Sequence, residues 1–313
     1  MKKMLPILVI VILSLTMAAM AEDTYTIGVS QLVQHVALDA ATQGFQDALT
    51  DKLGDAVKFD VQNASGDSAT CSTIVNTFIS NGVDLIMANA TPALQAAVAA
   101  TGDIPILGTS VTDYATALDI DDWTGATGMN VSGTSDLAPL DEQAAMLNAL
   151  FPEAKTVGLL YCSAEPNSKY QVDVIKGYLT EMGYECLEFT FADSNDVASV
   201  TQNACDNSDV LYIPTDNTAA SCTEAIRNVV EPAKKPVIAG EEGLCAGCGV
   251  ATLSISYYDL GYTTGEMAYE VLVNGADISA MDVRFAPNVV KEYNAEMCEL
   301  LGIEIPEDYV AIQ

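Results

Sequence analysis

Short apolar runs alternate with longer stretches of helical spacing along almost the whole chain, and the alternation happens twice. In the first half the runs 25–30 (YTIGVS), 57–61, 83–88 and 104–107 are separated by helix-like stretches at 37–52, 68–80 and 92–100. In the second half a helix-like stretch at 140–150 leads into runs at 156–161 (TVGLLY), 186–191, 210–213 and 236–239, separated by stretches at 168–182, 196–205 and 219–230. Strands alternating with helices of about 10–15 residues build βαβ units, and these force a parallel sheet. The runs are nearly continuous in apolar residues, as strands are when helices cover both faces. The halves also match locally: VDLIMANATPALQAA (83–97) aligns with SDVLYIPTDNTAASC (208–222). The chain is therefore expected to form an α/β fold of two similar doubly wound parallel-sheet lobes. After 240 the pattern changes to a strand at 250–256, a helix at 257–273, a short strand at 283–286 and an amphipathic helix at 291–301. Elements added to lobes already built imply that the chain passes between the lobes more than once.

The length of 313 residues suits two domains. Residues 1–21 read as a secretory signal peptide: Lys2 and Lys3, an apolar stretch from 5 to 17, and a small-x-small site at Ala19-Met20-Ala21. No later segment has 18 uninterrupted apolar residues. The first cysteine is Cys71, so acylation of a cysteine just after the leader has no substrate, and a periplasmic or extracellular protein without a lipid anchor is expected. The net charge is -31, from 12 basic and 43 acidic residues spread along the chain. Such a field repels nucleic acid and anionic lipid, so neither is expected as a partner.

In open parallel sheets, ligands bind outside the carboxyl ends of the strands. The loops at those ends are rich in Ser, Thr, Asn and Asp: Ser30-Gln31 to His35, 63–67, 89–92, 108–113, Ser163 to Ser168, 214–218 and 240–242. Thr91-Pro92 reads as a helix start, and Asn217 or Thr218 as another. Capping alone explains each loop singly; together they make one polar edge on both sheets. Tyr114, Tyr161, Tyr212, Tyr257 and Tyr258 lie at or beside strand ends, as ligand contacts or ordinary packing.

Catalytic constellations are not evident. His35 is the only histidine, which excludes a metal site built on several, and a Ser-His-Asp set around it lacks a plausible arrangement. There is no glycine-rich nucleotide fingerprint after the first strand, so no cofactor and no enzyme are expected. Eight cysteines fall mainly after residue 150; Cys245-Ala-Gly-Cys248, read as a glycine-rich turn between strands, suits a local disulfide or free thiols better than redox or metal chemistry.

The stretches IGVSQLVQHVALDAATQGFQDAL (27–49), ANATPALQAA (88–97), MNVSGTSDLAPLDEQ (129–143), YIPTDNTAA (212–220) and VIAGEEG with GVATLSISYYDLG (237–261) carry a family likeness. With them the chain resembles the ABC-transporter substrate-binding proteins of the type I periplasmic-binding fold, in the branch associated with tryptophan or tyrosine uptake. The resemblance implies two lobes joined by three crossovers, mapped here as 24–134 plus 256–280 and 135–255 plus 281–313. It implies a ligand in the cleft, held by Ser30, Gln31, Thr91, Ser110 and Thr112 from the first lobe and by Asn167, Ser168, Asp216, Asn217 and Glu241 from the second. An aromatic amino acid would place its ammonium at Asp216 and its carboxylate at Thr91 and Ser110, with Tyr114, Tyr212 or an apolar wall around its side chain. A monomer that docks on a membrane permease is expected. A sugar or nucleoside ligand, or a sensor role, are the alternatives.

Overall fold

The computed structural model describes residues 24–286 and 288–312. The leader at 1–21 lies outside them. The first lobe begins with β1 (Tyr25–Gln31), α1 (Val36–Leu53), β2 (Val57–Asn63), α2 (Ser68–Asn81), β3 (Leu85–Asn89), α3 (Thr91–Ala100), β4 (Ile106–Val111), α4 (Tyr114–Ala117) and β5 (Val131–Ser135). The chain then crosses to the second lobe for α5 (Leu140–Leu150), β6 (Thr156–Cys162), α6 (Pro166–Glu181), β7 (Glu185–Phe191), α7 (Val197–Asn207), β8 (Val210–Ile213), α8 (Asn217–Ser221), α9 (Thr223–Val230), β9 (Val237–Ala239), α10 (Glu242–Cys248) and β10 (Ala251–Ile255). It returns for α11 (Tyr257–Leu272) and β11 (Arg284–Phe285), and crosses again for β12 (Val289–Tyr293), α12 (Ala295–Leu301) and β13 (Val310–Ala311).

The first sheet runs β11-β5-β4-β3-β1-β2 and is parallel throughout. The second runs β13-β12-β10-β9-β8-β6-β7; it is parallel except where β12 meets β10 antiparallel. Central strands such as β3 (LIMAN) and β8 (VLYI) are buried along their whole length, because helices cover both of their faces. Local chemistry sets the helix starts. Asp67, Ser256 and Asn294 accept backbone N–H groups at the first turns of α2, α11 and α12. Helices α1 and α11 pack backbone to backbone: a Cβ on Gly261 would lie 1.9 Å from the Ala41 carbonyl oxygen, and one on Gly44 would lie 2.1 Å from that of Tyr258.

Four expectations need correction. Residues 281–285 were placed with the second lobe, but Arg284 and Phe285 pair with Thr134 and Ser135 on the first sheet, so the last crossing falls after Phe285. The helix expected at 291–301 is a strand followed by α12: Asn294 caps at Met297 and ends the β-run. The stretch at 219–230 is two helices, α8 and α9, broken at Cys222. The glycine-rich segment around Cys245 and Cys248 is the helix α10 rather than a turn. Both thiols are fully buried there, and burial pushes Cys248 up to about 12, which keeps it protonated and unreactive.

Candidate functional site

The carboxyl ends of the two sheets face each other, and between them lies a cavity of about 150 Å³. Its walls include Leu32, Val33, Ser65 and Pro92 from the first lobe, and Glu165, Asn217 and Thr218 from the second. A narrower gap between the lobes is lined by Thr91 and Asp113 on one side and Pro166, Asn167 and Tyr170 on the other.

On the first lobe the ends of β3 and β4 are bent into unusual backbone. Ala90 has φ 90° and Ser110 has φ 54°, a region that non-glycine residues avoid. The turn at Ala90 starts α3 with no side-chain cap. The hydroxyls of Thr91 and Ser110 are buried, 2 % and 5 % exposed, and neither has a hydrogen-bond partner. Native proteins rarely leave buried polar groups unpaired, because each costs about 1–3 kcal/mol. Thr112, next along, is paired: it donates to Asp136 (3.1 Å) and accepts from Gln171 of the other lobe (3.4 Å).

Ser30 and Gln31 are placed differently. Ser30 is fully buried at the end of β1, near the Cys71 thiol of α2, and its hydroxyl, like those of Thr91 and Ser110, has no hydrogen-bond partner. Gln31 is spent inside its own lobe, donating to the Val33 carbonyl and Asp39 and accepting from Thr42.

On the second lobe two carboxylates organise the loops. Asp216 accepts from the Ala219 N–H at the start of α8 (2.8 Å) and from the Cys162 N–H at the end of β6 (2.6 Å). Burial, and then the charge of Glu165, push its pKa up to about 8. Glu165 accepts from the backbone N–H of Asn217 (3.0 Å) and of Thr218 (2.8 Å), and from their side chains (2.7 Å each). Asn167 donates to Glu165 (3.1 Å) and leaves its own Oδ1 unpartnered. Ser168 is fully buried beside Asp216. His35 Nε2 reaches across the cleft to Asn217 Oδ1 at 3.2 Å, and burial lowers its basicity.

Glu241 stands apart from this group. It caps α10 through Gly243 N–H (2.6 Å), and burial pushes it up to about 7. It lines a separate cavity of about 200 Å³ beside the hinge with Val36, Tyr257 and Val290. The tyrosines suggested as ligand contacts are used elsewhere. Tyr114 donates to the Thr134 carbonyl, Tyr212 to Gln143 and Tyr161 to Glu188, while Tyr258 donates to Asp47.

The structure thus brings together Thr91, Ser110, Thr112, Asn167, Ser168, Asp216 and Asn217, and adds Glu165 and Gln171. Gln171 donates to Thr112 and to the carbonyls of Asn167 and Thr215, so it ties the lobes at the cleft floor. Glu165 precedes Pro166 at the start of α6, yet its side chain caps no backbone N–H of that helix and reaches instead to the first turn of α8, which the sequence does not show. Among the described residues no ion pair involves Glu165, Asp216, Asp136 or Glu241. Thr91 lines the narrow gap and Glu165 the larger cavity, while Ser110 and Asp216 are buried and line neither.

The chain is similar to known proteins along most of its length. The family model described as ABC transporter substrate binding protein matches residues 26–312. A tyrosine-binding protein of Clostridioides difficile (strain R20291) is 42% identical over 249 residues, 79% of this chain and 72% of that protein. A Streptococcus pneumonia ABC domain in complex with L-Trp superposes with a TM-score of 0.86 at 34% identity, covering 91% of this chain and 96% of that one. A ligand-free, open substrate-binding protein with adhesive properties from Clostridium difficile is 39% identical with a TM-score of 0.69, covering 93% of this chain and 99% of that one.

Proposed function

Because the chain belongs to the family of ABC transporter substrate-binding proteins, we propose that it captures an aromatic amino acid, tyrosine or tryptophan, in the cleft between its lobes. The observation that carries this reading is the chemical asymmetry of the cleft. Thr91 and Ser110 offer unpaired hydroxyl donors beside the uncapped start of α3, which suits a carboxylate. Asp216 and Glu165 offer carboxyl oxygens with no protein cation beside them, which suits an ammonium. A zwitterion spanning the cleft satisfies both walls at once, and Leu32, Val33 and Pro92 supply apolar surface for its side chain.

The lobe arrangement supports the same reading. The TM-score is higher against the tryptophan complex than against the open, ligand-free relative, although the open relative is the more similar in sequence. The arrangement therefore fits a cleft drawn toward its occupied state. In this role the protein would be exported, would close by hinge motion and would deliver its cargo as a monomer to a membrane permease. No helix among the described residues is long and apolar enough to cross a membrane.

Calorimetry against tyrosine, tryptophan, phenylalanine and a panel of sugars tests the reading. Binding of an aromatic amino acid with none for the sugars is expected. Sugar binding with no heat from any amino acid at ~1 mM, about −4 kcal/mol of affinity, would replace it with the carbohydrate alternative.

A further inference from the structure

Glu165 and Asp216 are buried, 4 % and 1 % exposed, and both hold the same one-turn helix, α8. Glu165 takes the N–H groups of Asn217 and Thr218, and Asp216 takes that of Ala219. The groups facing them are few. His35 approaches from the β1–α1 loop through Asn217, Cys162 from the end of β6, and Asn167 and Ser168 from the first turn of α6. Among the described residues neither carboxylate has a Lys or Arg partner.

Two desolvated negative charges this close disfavour each other, and a proton is the smallest counter-charge available. The donors decide where it goes. Glu165 accepts five hydrogen bonds, from Asn167 and from the backbone and side chains of Asn217 and Thr218. Asp216 accepts two from backbone N–H groups. Asp216, with fewer donors to hold a charge, is the better place for the proton.

We propose that the Glu165–Asp216 pair carries one proton when the cleft is empty and releases it to solvent when the ligand's ammonium arrives, with Glu165 as the residue that sets this exchange. The proposal rests on the reading that the ligand bears an α-ammonium. On binding, the Asp216 O–H gives up its proton and the ammonium N–H groups donate to the freed carboxylate, so one cation replaces another. The upward displacement of Asp216 to about 8, caused first by burial and then by the charge of Glu165, agrees with this.

The test is calorimetry of the whole protein with tyrosine at pH 7, in phosphate and in Tris, buffers with very different ionisation enthalpies. Apparent enthalpies that differ by about one released proton are expected, as is an affinity that rises up to about tenfold between pH 6 and pH 7. Equal enthalpies in the two buffers with a pH-independent affinity would overturn the proposal. Glu165→Gln is expected to reduce the proton count and flatten the pH profile, which loss of structure alone would not do. If no aromatic amino acid gives heat, the ligand reading fails separately, and the pair is then tested in the empty protein. A carboxyl carbon that disappears in Asp216→Asn and titrates near neutral pH supports the shared proton; titration below pH 5 overturns it.

Discussion

Tyr257, the first residue of α11 after the second crossing, donates its hydroxyl to Asp136, the residue that opens the first crossing after β5, at 2.9 Å. Two of the three strands that pass between the lobes are thus tied to each other by one buried bond. Thr112 bonds the other Asp136 oxygen and also takes Gln171 of the second lobe, so the tie reaches the cleft floor.

Removing this bond while keeping the ring is a clean test of the hinge. Tyr257→Phe is expected to cost about 1–3 kcal/mol at pH 8, where a buried carboxylate loses a donor. Burial already pushes Asp136 up to about 6, and the Tyr257 bond restrains that rise. The loss should therefore shrink at pH 5, where Asp136 is neutral. Urea unfolding at the two pH values measures it.

The same sign applies to the whole cleft. Asp136, Glu241 and Asp216 all have pKa values above the ordinary carboxyl range, at about 6, 7 and 8, chiefly through burial. Each contributes stability that is full below about pH 4 and is lost as pH rises through the folded-state value. Exposed acids held down by local bonds, such as Asp67 and Asp277, act in the opposite sense only at more acidic pH; His35, whose basicity burial lowers, opposes the trend below its ordinary value of 6.5, one group against three. The melting temperature of the ligand-free protein is expected to fall from pH 5 to pH 8; a flat or rising profile would contradict the burial of these groups.

Thr91 separates binding from stability. Its hydroxyl has no internal partner, so Thr91→Val should leave the empty protein as stable or slightly more so. Ligand affinity should drop about 10–100-fold, the loss of one strong hydrogen bond to a charged group of roughly 1.5–3 kcal/mol. Thermal unfolding without ligand, paired with calorimetry, reads both quantities.

Two glycines predict opposite outcomes from the same substitution. Gly261→Ala forces α11 away from α1, since the new carbon would sit 1.9 Å from the Ala41 carbonyl oxygen. A loss of about 3 kcal/mol or more is expected, at the upper end of overpacking costs. Gly177→Ala, within α6, meets nothing within 4 Å and should gain up to about 1 kcal/mol of helix propensity. Denaturant unfolding of the two variants compares them.

The fold was legible because its signal is periodic. Apolar runs such as LIMAN and VLYI announce central strands, and the helices between them leave one topology class. The strand β5, VSGTS, gave no such signal: it is buried but made of small polar residues, whose partners lie far along the chain, as with Ser132 and the Met281 carbonyl. In the site, Thr91 and Asp216 were readable as residues of strand-end loops, but the caps expected at Thr91 and at Asn217 or Thr218 fall instead at Ala90, without a side-chain bond, and at Asp216. The spending of Gln31 within its own lobe was not readable, because Thr42 and Asp39 compete for it only once α1 is folded back. Tyr114 and Tyr212 misled for a related reason: a tyrosine at a strand end can bury its ring in the core and satisfy its hydroxyl there.

The order of the crossings governs how the protein can be made. Helix α1 finishes at residue 53, yet the helix it packs against begins at 257, and the first sheet gains its last strand at 284. Neither lobe is a continuous stretch that could close while the remainder is still being synthesised. Most of the chain must exist before its first-made helix finds its partner, so folding waits on contacts of very long sequence separation and is slow to begin. A fragment ending after β10 would leave the Gly44 face of α1 uncovered and β5 without its outer neighbour, with no complete first lobe to show for two hundred residues already in place.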